Sequence, residues 1–131
     1  MRLSLKHIAV LGLMLLPLIG VASPMNYEKI ALAIESGNAQ KLSQYFASNV
    51  EITILNKEEV YSQSQAKRVL VDFFEKHQPS SFEIIHKGSS NKGSKYCIGT
   101  MVAKEQSFRT YIYMKQKGES FRIQEIRFEE D

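Results

Sequence analysis

The sequence predicts an α+β fold: three N-terminal helices packed on a curved antiparallel sheet. Three observations carry this prediction. Apolar residues recur at helical spacing in the first half of the chain, four runs of alternating residues follow Ser81 in quick succession, and the last run changes phase partway along. Helices with one apolar stripe and a sheet with one apolar face cover each other, which gives a layered domain.

The opening segment differs in build from the rest of the chain and biases the overall composition. "MRLSLKHIAVLGLMLLPLIGVAS" has a basic start (Arg2, Lys6), an apolar stretch from Ile8 to Gly20 and then small residues, the build of a secretory signal peptide. The stretch falls short of the roughly twenty residues a membrane-spanning helix needs. Cleavage is expected after Ala22, which makes 1–22 a leader and 23–131 a single domain, exported to the periplasm or beyond the cell and not inserted in the membrane. No cysteine follows the apolar run, so lipid attachment at a new N-terminal cysteine is excluded.

Loss of Arg2 and Lys6 takes the 17 basic residues to 15, against 14 acidic ones, a net charge of +1. The charges are mixed along the chain and end in acidic "FEED", so no nucleic-acid partner is expected. Cys97 stands alone, so no internal disulfide forms and the fold is held by packing. Its place in the apolar run "KYCIGTMVA" reads as a small buried side chain.

Within the domain, "NYEKIALAIES" spaces Tyr27, Ile30, Ala31 and Ile34 as a helix that Gly37 stops. Asn38 caps a second helix, "AQKLSQYFA", with Leu42, Tyr45 and Phe46 as its stripe. "VEITIL" then alternates as a strand, and "NKEE" turns it into a short partner, "VYS". Ser62 and Gln65 spell a capping box for a third helix running to about His77, with Ala66, Val69, Leu70, Phe73, Phe74 and His77 on one side and Arg68, Asp72 and Glu75 opposite. Gln78-Pro79 ends it.

The runs Phe82 to Lys87, Lys95 to Ala103, Phe108 to Lys115 and Ser120 to Phe128 are joined by short turns and read as an antiparallel meander. In the third run, Phe108, Ile112 and Met114 face one way and Arg109, Tyr111 and Tyr113 the other. In the fourth, Phe121 and Ile123 share one parity and Ile126 and Phe128 the other, so one extra residue near Gln124 or Glu125 makes a bulge there.

This order of elements resembles the cone-shaped fold of the nuclear transport factor 2-like, or cystatin-like, superfamily. The runs "AIESGNAQKLSQYFASNVEI", "QAKRVLVDFFEKHQPSSFEIIHKG", "YCIGTM" and "FRTYIYMKQKGESFRIQEIRFEE" resemble a family of small exported bacterial proteins described only as a domain of unknown function. The resemblance implies a shape and not a role, because the superfamily holds enzymes, binding modules and assembly domains. Its isomerase-like and dehydratase-like members imply acids or histidines projecting from the sheet into an apolar pocket.

Tested residue by residue, that pattern has few carriers here. Asp72 and Asp131 are the only aspartates, one opposite the helix stripe and one at the end of the chain, and Glu51, Glu83 and Glu125 alternate onto a solvated face. His86 is the remaining candidate. Alternation sets it with Phe82 and Ile84, facing a cavity under the helices, as a general base or as the polar group of a ligand pocket lined by Tyr45, Phe46, Phe73, Phe74, Met101 and Met114. The same residues also suit a filled core, and His86 also suits a strand-end histidine with a plain hydrogen bond.

His77 is accounted for by the helix dipole. Ser89-Ser90 lacks the nucleophile elbow, "GSSNKG" lacks the ending of a phosphate loop, and after the leader two histidines and one cysteine make no zinc site, so no cofactor or metal is expected.

The run "KYCIGTMVA" is apolar on both parities, with Tyr96, Ile98 and Val102 on one side and Cys97, Met101 and Ala103 on the other. One face lies under the helices and the other needs a cover of its own. Tyr96, Ile98, Arg109, Tyr111 and Tyr113 therefore form a candidate homodimer face. The expected function is non-catalytic binding of a small apolar ligand or a protein partner. The alternatives are a small-molecule isomerase or hydro-lyase using His86, and a cell-envelope assembly module with an exposed apolar groove. A packed interior removes both pocket readings and leaves protein interaction.

Overall fold

The computed structural model describes residues 26–90 and 92–131, and the leader expected at 1–22 lies outside the described residues. The chain begins with α1 (Tyr27–Glu35), capped by the Asn26 side chain, which accepts from the Lys29 amide at 3.1 Å. It ends in a Schellman motif: the Asn38 amide donates to the Ala33 carbonyl (2.8 Å) and the Gly37 amide to that of Ile34 (3.0 Å), with Gly37 at φ +64°. Glycine meets that left-handed requirement without a Cβ clash. Asn38 then caps α2 (Ala39–Ser43), accepting from the Lys41 amide at 2.9 Å.

Helix α2 stops four residues earlier than the sequence suggests, because Phe46 belongs to β1 (Phe46–Ile54). Phe46 pairs with Ile123, and the Ile123 amide donates to the Tyr45 carbonyl at 2.7 Å, so sheet pairing overrides helical spacing here. The hairpin to β2 (Lys57–Ser62) is also tighter than expected. Its turn is Leu55-Asn56, at φ 47° and 81°, and "NKEE" lies mostly in the strand.

Ser62 closes the capping box of α3 (Gln63–Lys76): the Gln65 amide donates to its hydroxyl at 3.2 Å, and its own amide donates to the Gln65 side chain at 3.0 Å. Then come β3 (Ser81–Ser89), β4 (Ser94–Ala103), β5 (Gln106–Lys117) and β6 (Ser120–Glu130).

The strands form one six-stranded sheet in the order β2-β1-β6-β5-β4-β3. It is not wholly antiparallel, since β1 runs parallel to β6, with Ile52 opposite Ile126 and Ile54 opposite Phe128. The β1–β2 hairpin is thus part of the main sheet. Nor do the helices form one N-terminal block: α3 follows β2 and lies against β1 and β2, α1 lies against β3, and α2 packs on both helices.

Besides the register break between Phe46 and Glu51 of β1, two bulges bend the sheet. One is at Gln124, where Tyr113 faces Glu125 but Met114 faces Ile123, as the phase change in the sequence required. The other, at Ile85 of β3, is not among the expectations drawn from the sequence: Ile84 faces Gly99 while His86 faces Ile98.

The core lies between the helices and one sheet face and is dominated by aromatic rings. Phe128, fully buried, has its ring centroid 4.6 Å from that of Phe73 and 6.1 Å from that of Phe74, and Phe73 meets Phe108 edge-on at 5.6 Å. Phe128→Ala is expected to cost about 3–5 kcal/mol of stability through the cavity it leaves, measured by urea denaturation of the folded domain.

Candidate functional site

The residues expected to line an interior pocket fill the core instead. Phe46, Phe73, Phe74, Met101 and Met114 are buried in one continuous cluster, with Tyr45 half-buried against it. No cleft among the described residues joins them. Phe73 borders one surface cleft, Phe74 a second and Tyr45 a third.

His86 is not beneath the helices. The extra residue at Ile85 shifts the alternation by one, so Phe82 faces Met101 on the core side whereas His86 faces Ile98 on the outer side. The imidazole is exposed, sharing a 3.1 Å hydrogen bond with the Tyr96 hydroxyl. Gly88 makes room for that pair, since a Cβ there would run into the Tyr96 ring. His77 is the C-cap of α3, its ring 5.1 Å from those of Phe73 and Phe108. Ser90 bonds to the Ser94 hydroxyl, which occupies it in a turn.

The outer sheet face carries the densest arrangement of functional groups. Tyr96, Ile98, Tyr111 and Tyr113 are half-buried on it and Arg109 is exposed, the parity expected from the sequence. Register sets Arg127 beside Tyr111 and Glu125 beside Tyr113. The Arg127 guanidinium stacks 4.4 Å from the Tyr111 ring centroid, and Tyr111 lies 6.1 Å from Tyr96. A connected row therefore runs from Arg127 through two tyrosines to His86.

Beyond Arg127 the face turns acidic. Glu51 lies between Glu125 and Val60 by register, and a hydrogen bond with Glu58 holds its carboxyl above the usual range, with burial and repulsion from Glu58 and Glu125 adding to this and Arg127 opposing it. Arg127 Nε, 3.5 Å from Glu125, and the hydroxyl of Thr53, opposite Arg127, are buried without a hydrogen-bond partner among the described residues. Strand alternation identifies the tyrosines and Arg109 on this face. It also turns Arg127 and Thr53 outward, but that the two are neighbours follows only from the parallel β1–β6 pairing.

Among the described residues no group of three or more His, Cys, Asp or Glu side chains is arranged to hold a metal, and no helix is long and apolar enough to cross a membrane.

Comparison with known proteins agrees with the architecture. Residues 27–129 match the profile of the family described as "Domain of unknown function (DUF4783)". Two solved DUF4783 family proteins are similar. One, from Bacteroides uniformis, has 26% identity and a TM-score of 0.76, covering 80% of this chain and 96% of its own. The other, from Bacteroides fragilis, has 26% identity and a TM-score of 0.75, covering 79% and 97%. A nuclear transport factor 2-like protein of unknown function from Silicibacter pomeroyi shares the fold at 12% identity and a TM-score of 0.60, covering 79% of this chain and 88% of its own. No curated protein matches the chain.

The buried thiol of Cys97 gives a direct check on the packing. Burial pushes its pKa from 9.0 up to about 11, with Lys87 opposing the shift weakly. The unfolded chain releases this proton first, so the thiol's contribution to stability is complete below about pH 9 and is lost as pH rises from 9 towards about 11. Cys97→Ala should remove up to about 2–3 kcal/mol of the alkaline decline seen in denaturation series between those pH values. A disulfide reagent at pH 8 should modify wild-type protein only in denaturant.

Proposed function

This chain belongs to the DUF4783 family, and we propose that it is a non-catalytic interaction domain that pairs with a second copy of itself through the outer sheet face. The observation that carries this reading is the uncovered row of Tyr96, Ile98, Tyr111 and Tyr113 with Arg127 stacked on it, on a sheet whose other face packs against the helices. Tyrosine and arginine are the residue types that dominate interface energetics.

Area supports a second copy as the occupant. Six strands of about nine residues present roughly 29 by 30 Å, near 900 Å², close to the about 800 Å² per partner of a standard interface. The leader at 1–22 would deliver the domain out of the cytoplasm, and pairing would take place there.

The isomerase or hydro-lyase reading loses its support, because it needed His86 in a buried pocket and His86 is exposed beside a tyrosine. The apolar-ligand reading, in the form of an interior pocket, loses its support to the filled core.

Sedimentation equilibrium at micromolar concentration should give twice the mass of one chain. Tyr111→Glu should return it to the mass of one chain with the far-UV spectrum unchanged, since desolvating a carboxylate in the interface is costly. A single-chain mass for the wild type at those concentrations rejects the proposal.

A further inference from the structure

We propose that a cleft on the helical side of the molecule, between α3 and the β1–β2 hairpin, binds a small carboxylate with an apolar body. The cleft has a volume of about 500 Å³, within the roughly 300–1,000 Å³ typical of ligand sites. It is separate from the proposed pairing face: Ile52 and Ile54, which line it, have the opposite parity to Glu51 and Thr53.

Its chemistry is divided. Ile54, Leu55, Val69 and Phe73 supply an apolar lining. Arg68, Asp72 and Lys76 run along one line of α3 at successive four-residue steps and bring charge to the same cleft. Asp72 is engaged by Lys76 at 3.2 Å, and across the cleft Lys57 lies 3.9 Å from Glu59, which also accepts from the Tyr61 hydroxyl at 3.2 Å. Arg68 makes no ion pair among the described residues. Its guanidinium is thus a planar fork of donors with no anion, next to an apolar lining, and a carboxylate is the group that matches that fork with two parallel hydrogen bonds.

The hairpin turn contributes to the lining. Leu55 has φ 47°, as the two-residue turn between β1 and β2 requires, and its half-buried side chain lines the cleft. The occupant is therefore an amphipathic monocarboxylate, with its tail on Leu55, Val69 and Phe73 and its head on Arg68.

The test is a titration of the isotopically labelled domain with sodium octanoate, followed by amide resonances, with 1-octanol and octyltrimethylammonium as chain-matched probes. Octanoate should shift Leu55, Val69 and Phe73 saturably, octanol should bind there at least about tenfold more weakly, and the cationic probe should not bind. Arg68→Gln, at an exposed position that leaves the fold intact, should weaken octanoate roughly tenfold and leave octanol unchanged. Equal affinity for octanoate and octanol, an unchanged octanoate affinity in Arg68→Gln, shifts confined to other surfaces, or no shift at millimolar octanoate would each overturn the proposal. Because the cleft and the outer sheet face lie on opposite sides, these results are independent of the oligomeric state.

Discussion

The parallel pairing of β1 with β6 is the constraint on which the rest of the structure depends. A two-stranded hairpin is marginal by itself, and β1–β2 gains its stability by adding to the meander through Ile52 opposite Ile126 and Ile54 opposite Phe128. Helix α3 starts directly from Ser62, at the end of β2, so the docking of the hairpin also decides where the helix lies. That position brings Phe73 and Phe74 onto Phe128 and closes the core. The same pairing sets Thr53 beside Arg127 on the outer face and opens the cleft between α3 and the hairpin on the inner one.

The filled interior moves function to the surface. A layered fold of this shape hosts a pocket when small side chains leave room between sheet and helices. Here Phe46, Phe73, Phe74, Phe108, Phe128, Met101 and Met114 fill that space among the described residues. The two surfaces described above differ in kind. The outer sheet face is broad, tyrosine-rich and crossed by a cation–π contact, which suits another protein surface. The flank of α3 is narrow and joins an apolar lining to an uncommitted guanidinium, which suits a small anion.

Much of this was legible in the sequence wherever the signal was local. The capping box at Ser62, the stop at Gly37, the cap at Asn38 and the bulge at Gln124 each rest on residues within a few positions of one another, and each stands in the structure. The outward parity of Tyr96, Ile98, Arg109, Tyr111 and Tyr113 was legible for the same reason, because a strand alternates with period two. The assignment of His86 failed on that rule. The doubled Ile84-Ile85 interrupts the alternation, but that Ile85 is the extra residue is visible only against β4. The candidate cleft was also hidden, since Arg68 and Asp72 read as the solvent side of a helix until the hairpin is seen beside them.

By itself the sequence determined the elements, their caps and the two faces of β4 and β5, because these follow from backbone periodicity and from side chains bonding to neighbouring amides. Only the tertiary structure decided that β1 joins β6 in parallel, that a bulge turns His86 outward and that the interior is filled. These outcomes rest on contacts between residues up to about eighty positions apart, such as Phe46 with Ile123, whose strength depends on which strands meet and in what register.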